Sequence, residues 1–171
     1  MENYPNRRSI RLKNYDYTQS GIYFVTICTS ERKQTLGQVQ NGDIVLNTLG
    51  KVIKEEIEVL TKRFPGLEVI AFCILPNHIH LLLDLPGKDT EGSYEQFGKP
   101  VPGSLATIIR SFKSKVSWKA GKQNYKPAQP IWQQRYYEHI VRNEDEFQKT
   151  FDYVVNNVQK WESDREFFNG N

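Results

Sequence analysis

The chain has 171 residues, of which 38% are hydrophobic, 12% aromatic and 25% charged. This composition excludes a disordered or low-complexity chain, and the length suits one globular domain, so residues 1–171 are expected to form a single domain. The formal net charge of +3 does not by itself indicate a partner.

The first half of the chain predicts three strands and one helix. Residues 22–29 are β-branched or aromatic at almost every position, which predicts a strand covered on both faces. A turn is expected at 41–43, and apolar residues at helical spacing predict a helix over 47–63. Strands are predicted over 67–75 and 78–85. Because only Pro76 and Asn77 separate them, these two strands must be antiparallel neighbours.

The second half predicts a loop, two helices and one strand. Residues 86–103 are rich in glycine and proline, which predicts a long surface loop. Ser104 is the expected N-cap of a helix, and residues 131–141 predict a short fourth strand. A capping box at Asn143–Glu146 opens a last helix that runs to about Trp161. The two helices are expected to bury apolar stripes formed by Leu105, Ile108, Ile109, Phe112 and Val116, and by Phe147, Phe151, Val154 and Val158.

The order of these elements defines the expected fold. Strand, helix, strand, strand, helix, strand, helix is the order of a split β-α-β arrangement. The two-residue connection at 76–77 excludes a doubly wound parallel sheet. We therefore predict an α+β fold, a ferredoxin-like antiparallel four-stranded sheet with helices packed on it.

The N-terminal sequence and the two cysteines are typical of a cytoplasmic protein. The N-terminus lacks an apolar signal segment, and the longest apolar run, 69–75, is too short to cross a bilayer. Cys28 and Cys73 lie in apolar runs without metal-ligand spacing, so they are expected to be reduced core residues. The sequence thus predicts a cytoplasmic protein with no membrane partner.

Basic residues are concentrated in two segments. Residues 7–13 contain four, residues 101–135 contain seven and no acid, and the remaining 12 basic residues face 20 acidic ones. Such segregation favours a polyanionic partner, although a solvated helix face and a disordered basic tail of residues 1–20 explain it equally well. The candidate nucleic-acid contacts are Arg7, Arg8, Arg11, Lys13, Arg110, Lys113, Lys115 and Arg135.

A pair of histidines is the strongest chemical signal. His78 and His80 lie two apart on a predicted strand, so both imidazoles project from one face, as metal ligands do. A third ligand must come from an element crossing that face. The alternative is a pair of histidines hydrogen-bonded to polar neighbours.

The last helix presents two further polar groups together. Relative to its apolar stripe, Tyr153 and Asn157 lie on the same flank, one turn apart. They form either a hydroxyl and a neutral oxygen ligand aimed at the histidine face, or a boundary tyrosine with an exposed asparagine.

Three motifs together resemble a known family. They are Leu75-Pro-Asn-His-Ile-His-Leu-Leu, the run from Trp132 to Glu144 around Arg135 and His139, and Tyr153-Val-Val-Asn-Asn157. They resemble the single-tyrosine transposases of the HUH superfamily, and most closely the REP-associated tyrosine transposases. Residues 9–17 and 109–114 fit the same family, so the resemblance covers about residues 8–161.

The resemblance implies a function and a set of roles. His78 and His80 match the metal ligands, Asn157 the neutral third ligand, and Tyr153 the nucleophile. The implied cofactor is Mg²⁺ or Mn²⁺, and the implied partner is single-stranded DNA with palindromic hairpins, bound by a monomer or homodimer. The implied reaction is DNA cleavage and rejoining through a 5′-phosphotyrosine.

Two other functions remain open at this point. One is a non-catalytic or domesticated hairpin-binding protein on the same fold, and the other is a metal-dependent hydrolase of small molecules. His139 is expected to be a buried, hydrogen-bonded residue or a DNA contact. Trp132, Tyr136 and Tyr137 are candidates for base stacking or for core packing.

Overall fold

A computed structural model of the chain describes residues 20–87, 101–123, 125 and 129–161. The expectations for the basic arm and for most of the loop at 86–103 fall on residues 1–19 and 88–100, outside the described residues. In chain order the elements are β1 (Gly21–Cys28), a 3-10 turn (Ser30–Arg32), β2 (Gly37–Gln40), β3 (Asp43–Leu46), α1 (Thr48–Glu58), α2 (Leu60–Arg63), β4 (Glu68–Leu75), β5 (His78–Leu85), α3 (Leu105–Lys122), β6 (Tyr137–Val141) and α4 (Glu144–Asn156).

Four strands form one antiparallel sheet in the order β4-β5-β1-β6. Numbered along the chain, these four sheet strands run 2-3-1-4. The first strand therefore lies between the third and the fourth, as in a split β-α-β arrangement. The α+β prediction, with its four-stranded antiparallel sheet and packed helices, is confirmed.

One face of the sheet, which we call the core face, is covered by α1 and α3. Because side chains alternate along a strand, the odd-numbered residues of β1 and β5 point to this side. These residues are completely buried and form a single apolar cluster with the helices: Tyr23, Val25, Ile27, Ile79, Leu81 and Leu83. The predicted stripe of α3 is buried in the same cluster, and the Ser104 side chain accepts the Thr107 backbone N–H as expected for an N-cap.

The opposite face, which we call the site face, carries α4 over β4 and β5. The helix begins as predicted, because the Asn143 side chain accepts the Glu146 backbone N–H at 2.9 Å. Even-numbered residues of β1 and β5 project here, among them Phe24, Thr26 and the two histidines. This face has a smaller apolar cluster, which contains Cys73, Leu75, Val154 and Trp161.

Several local expectations were wrong. The predicted helix over 47–63 is divided at Val59, and the predicted strand over 131–141 begins only at Tyr137, after buried residues Ile131 and Trp132. Of the four predicted stripe residues of the last helix only Val154 is fully buried; Phe147, Phe151 and Val158 are half-buried, and Val158 lies after the end of α4 at Asn156.

The turn at 41–43 belongs to a hairpin that the sequence pattern did not reveal. Asn41 and Gly42 both have positive φ, 53° and 81°, which is the turn that an Asn-Gly pair favours between β2 and β3. Both cysteines are free thiols, but only Cys73 is buried and Cys28 is half-buried. Among the described residues, no helix combines the length and the apolarity needed to span a membrane.

Candidate active site

Two histidine side chains face each other on β5. His78 and His80 project from the site face, as strand alternation predicts, and they are only 4% and 3% exposed. Their Nε2 atoms lie 3.0 Å apart. The pair therefore directs two ring nitrogens at one point beneath α4.

The outer nitrogen of each ring is held by a neighbour. His78 Nδ1 donates to Asn77 Oδ1 at 2.6 Å, which leaves the Nε2 of His78 with a lone pair. His80 Nδ1 lies 2.8 Å from the hydroxyl of Thr26 on the adjacent strand. Fixing the outer nitrogen orients the ring, as it does for metal-bound histidines.

Burial keeps both imidazoles neutral. Desolvation, aided by the positive charge of Arg32, lowers the pKa of His78 to about 4. Desolvation also holds the pKa of His80 well below its usual range, and the neighbouring His78 adds to this effect. Near neutral pH both rings are therefore uncharged, and their Nε2 atoms can serve as electron-pair donors to a metal ion.

The last helix crosses over this pair. The Tyr153 ring lies 5.3 Å from the His80 ring, and the Trp161 ring lies 5.9 Å from the His78 ring, measured between centroids. Asn157 stands between them along the chain, one turn after Tyr153, and is fully buried. The alternative of an exposed asparagine is therefore wrong.

The amide of Asn157 is chemically unsatisfied. Neither its Oδ1 nor its Nδ2 has a hydrogen-bond partner among the described residues. A buried amide without hydrogen-bond partners costs free energy, so the oxygen and nitrogen of Asn157 are both available to bind a ligand.

Tyr153 is positioned by aromatic contacts. Its ring meets His80 and Phe24 edge to face, with the Phe24 centroid at 6.0 Å, and Phe24 in turn stacks on His80 at 5.1 Å. The side chain is half-buried, so it lies between the interior of the sheet face and solvent. The structure thus places Tyr153 against the histidine pair, and Asn157 follows it one turn later along the chain, buried.

Three residues of this site were missed by sequence reasoning. Asn77 and Thr26 orient the histidines, and Trp161 closes over His78. Asn77 carries a signal, since it directly precedes His78 in a two-residue turn. The role of Thr26 depends on the β1–β5 register, which pairs it with His80 and is not visible in a local pattern.

The predicted basic contacts differ in their surroundings. Arg110, Lys115 and Arg135 are exposed, and the Lys115 ammonium lies 4.7 Å from the Trp118 ring centroid. Arg7, Arg8, Arg11 and Lys13 lie outside the described residues.

Lys113 is half-buried rather than extended into solvent. Its ammonium donates to the backbone carbonyl of Gln133 at 3.0 Å and to those of Gln134 and Arg135 at 3.4 Å, and burial lowers its pKa to about 8. These bonds fasten the segment before β6 to α3.

The third histidine lies outside the pair. His139 is on β6, opposite Phe24, and its Nε2 lies 2.5 Å from a carboxylate oxygen of Glu146 in the first turns of α4. The contact joins β6 to the helix that carries Tyr153, which agrees with a structural role.

Comparison with known proteins shows which proteins the chain resembles. The chain shares its fold with a solved REP-associated tyrosine transposase bound to a REP hairpin, with a TM-score of 0.61 and 22% identity over 88% of this chain and 74% of that one. A Haemophilus influenzae protein of uncharacterised function is 34% identical over 94% of this chain and 92% of its own length. No protein-family model matches the chain.

Two relatives carry a transposase name. One, from Haemophilus influenzae, is provisionally named a REP-associated tyrosine transposase and is 29% identical over 87% of this chain and 77% of its own length. The other, the REP-associated tyrosine transposase of Escherichia coli K12, is 26% identical over 84% and 70%. The chain is thus similar in sequence to REP-associated tyrosine transposases and shares the fold of a solved one.

Proposed function

We propose that the protein cleaves and rejoins single-stranded DNA at hairpin sequences, with Tyr153 as the nucleophile. The observation that carries the proposal is that half-buried Tyr153 lies against a pair of neutral histidines, with the buried, unsatisfied amide of Asn157 one turn later along the chain. Similarity to REP-associated tyrosine transposases supports an enzyme role, and the solved structural neighbour bound to a REP hairpin supports this class of DNA.

The same residues fit a divalent metal ion. The two imidazoles and the Asn157 oxygen offer three uncharged donors, and the described residues contain no group of three His, Cys, Asp or Glu side chains that offers another metal site. Mg²⁺ or Mn²⁺ suits an incomplete donor set, because these ions retain water and accept phosphate oxygens. When bound, the ion supplies Lewis acidity toward the scissile phosphate.

Tyr153 performs the bond exchange. Its hydroxyl loses its proton to water as the oxygen attacks phosphorus. The bond between phosphorus and the 3′ oxygen breaks, and that oxygen leaves as a 3′-hydroxyl after taking a proton from water. The strand downstream stays on the enzyme as a 5′-phosphotyrosine. Because this ester keeps the phosphodiester energy, a 3′-hydroxyl can reverse the step and join strands without a nucleotide cofactor.

Basic side chains hold the DNA in this proposal. Arg110, Lys115 and Arg135 present exposed charges, and Lys113 shapes the segment that carries Arg135. With Arg7, Arg8, Arg11 and Lys13 they would neutralise phosphates, which makes binding weaken as salt rises.

The test compares two tyrosine variants. Wild-type protein is incubated with end-labelled single-stranded hairpin DNA and Mg²⁺, and the covalent adduct is resolved on a denaturing gel. Tyr153→Phe removes one hydroxyl and should abolish cleavage and adduct together while leaving DNA binding near wild type. Tyr125→Phe, a half-buried tyrosine packed against the other face, is the matched control and should remain active.

The adduct should contain only the fragment downstream of the cut. An adduct that persists in Tyr153→Phe would show that the nucleophile is a different residue. Wild-type binding of the hairpin without any cleavage would instead favour the non-catalytic binding protein.

A further inference from the structure

One row of side chains crosses the whole sheet on the site face. The strand registers place Cys73 opposite His80, His80 opposite Thr26, and Thr26 opposite Tyr137. Since neighbouring strands lie about 4.8 Å apart, Tyr137 is about 10 Å from His80, at the other edge of the row.

The two ends of this row differ in exposure. Cys73, on β4, is 5% exposed beneath α4, whereas Tyr137, on the edge strand β6, is 50% exposed. The helix lies over β4 and β5, and among the described residues the β6 end of the row is left open to solvent. An open aromatic side chain therefore borders the histidine pair on the side that α4 leaves uncovered.

Aromatic contacts connect Tyr137 to the site. Its ring meets Phe24 at 6.5 Å between centroids, in an edge-to-face arrangement. Phe24 is the ring that also touches His80 and Tyr153. Phe24 and Tyr137 thus form a continuous surface that leads from the nucleophile to the sheet edge.

We propose that Tyr137 stacks on a nucleobase of the strand next to the phosphate that Tyr153 attacks. The inference rests on the proposed function. A base attached to the neighbouring sugar can span the distance between the histidine pair and β6, and aromatic rings bind bases of any sequence through their faces. Exposed Arg135, two residues earlier, offers a cation for the adjoining backbone phosphate.

The neighbouring aromatic residues do not offer this surface. Trp132 is 7% exposed and packs against Phe112 in the core cluster. Tyr136 is half-buried with the Lys113 ammonium 5.6 Å from its ring centroid. Of the three candidates in this segment, Tyr137 alone has an open ring on the site face.

The test removes the ring and the base separately. Two labelled probes share one DNA hairpin and carry single-stranded tails of equal length, one of thymidines and one of abasic nucleotides. Affinities are measured by fluorescence anisotropy in Mg²⁺, with Tyr153→Phe in every protein so that the probes stay intact. Loss of one stacked base should weaken binding about ten- to a hundredfold.

Tyr137→Ala should therefore weaken binding of the thymidine tail by that factor and leave binding of the abasic tail within about twofold, while Tyr137→Phe keeps both affinities. Val45→Ala removes an equally exposed apolar side chain, 51%, from β3 and serves as the control. Thermal melts of each variant check that the fold is intact.

Two outcomes would overturn the inference. Equal losses on both tails would mean that Tyr137 contacts backbone or protein rather than a base, and unchanged affinity on both would mean that no strand reaches β6. The proposed function is tested separately, in a protein with Tyr153 restored. If that protein binds the thymidine tail through Tyr137 but never cleaves it, the stacking role of Tyr137 stands and the proposed cleavage function is wrong.

Discussion

The two faces of the sheet use the same strands for opposite purposes. On the core face, alternate residues of β1 and β5 are apolar and completely buried against α1 and α3. On the site face the residues between them include Thr26, His78 and His80, and the buried amide of Asn157, at the end of α4, is unsatisfied among the described residues. Alternation thus lets one strand supply apolar packing on one side and polar side chains on the other.

The comparison also separates two ways of burying polar groups. Glu56, on α1, is 1% exposed, and its carboxylate is paired with Arg63 and, at 2.7 Å, with Lys119 of α3. Those two cations lower its pKa against the opposing effect of burial. Asn157, buried to the same degree, has no such partner among the described residues. Stability is expected to reside on the core face and binding chemistry on the site face.

The largest expected effect is on catalysis. His80→Ala should reduce Mg²⁺-dependent cleavage about a thousandfold or more, because a bound metal contributes several kcal/mol to the transition state and each 1.36 kcal/mol is a factor of ten. The rate is measured on labelled hairpin DNA. His139→Ala, outside the pair, is the control and should lose far less. Full activity of His80→Ala, or of wild type in chelator, would contradict the assignment.

The next effect is on folding and belongs to the core face. Phe112→Ala should lower the free energy of unfolding by about 3–5 kcal/mol, because Phe112 is completely buried and its removal leaves a cavity. Phe147→Ala, on half-buried Phe147 of α4, should cost clearly less. Urea denaturation of both variants measures the difference. Equal losses would show that α4 packs as firmly as α3.

Acid should weaken the site face selectively. In the metal-free protein the pKa of His78 is lowered from 6.5 to about 4, so the unfolded chain binds the proton more readily between these values. Above about pH 6.5 this difference in pKa does not affect the free energy of unfolding. As the pH falls from there toward 4, the free energy of unfolding decreases by about 3 kcal/mol.

Urea midpoints between pH 7 and pH 4.5 in chelator measure this loss. His78→Gln removes the titrating group while keeping a polar side chain, and its stability should fall less over the same interval. Parallel curves for the two proteins would place the titration elsewhere.

The smallest effect has the opposite sign. Asn157→Leu replaces a buried amide without partners by an apolar side chain of similar size, so the metal-free protein should gain about 1–2 kcal/mol of stability. Cleavage should fall at the same time. A loss of stability would mean that the amide makes contacts in the folded protein that compensate its burial.

Periodicity predicted what depends on neighbours along the chain. The shared face of His78 and His80 follows from strand alternation, the stripe of α3 from helical spacing, and the start of α4 from the Asn143 cap. Each is a local property of a few residues, and each is confirmed.

Features set by docking escaped prediction. Burial of Asn157 depends on where α4 rests on the sheet, and the contacts of Lys113 involve carbonyls at least 20 residues away. The short strands β2 and β3 alternate only weakly between apolar and polar residues. The sequence therefore predicts the turn of this hairpin but not its strands. Tyr136 and Tyr137 are adjacent, and only the starting point of β6 decides which ring faces outward.

The turn between β4 and β5 differs from an ordinary hairpin turn in how it would respond to added residues. Asn77 accepts the Thr29 backbone N–H and hydroxyl, each at 2.9 Å, and its side chain also holds the ring of His78. A single inserted residue would break these bonds, and a one-residue slip of β5 would turn both histidines toward the apolar side. The Asn41–Gly42 turn has no such ties to the site, so insertion scanning should find one tight turn permissive and the other forbidden.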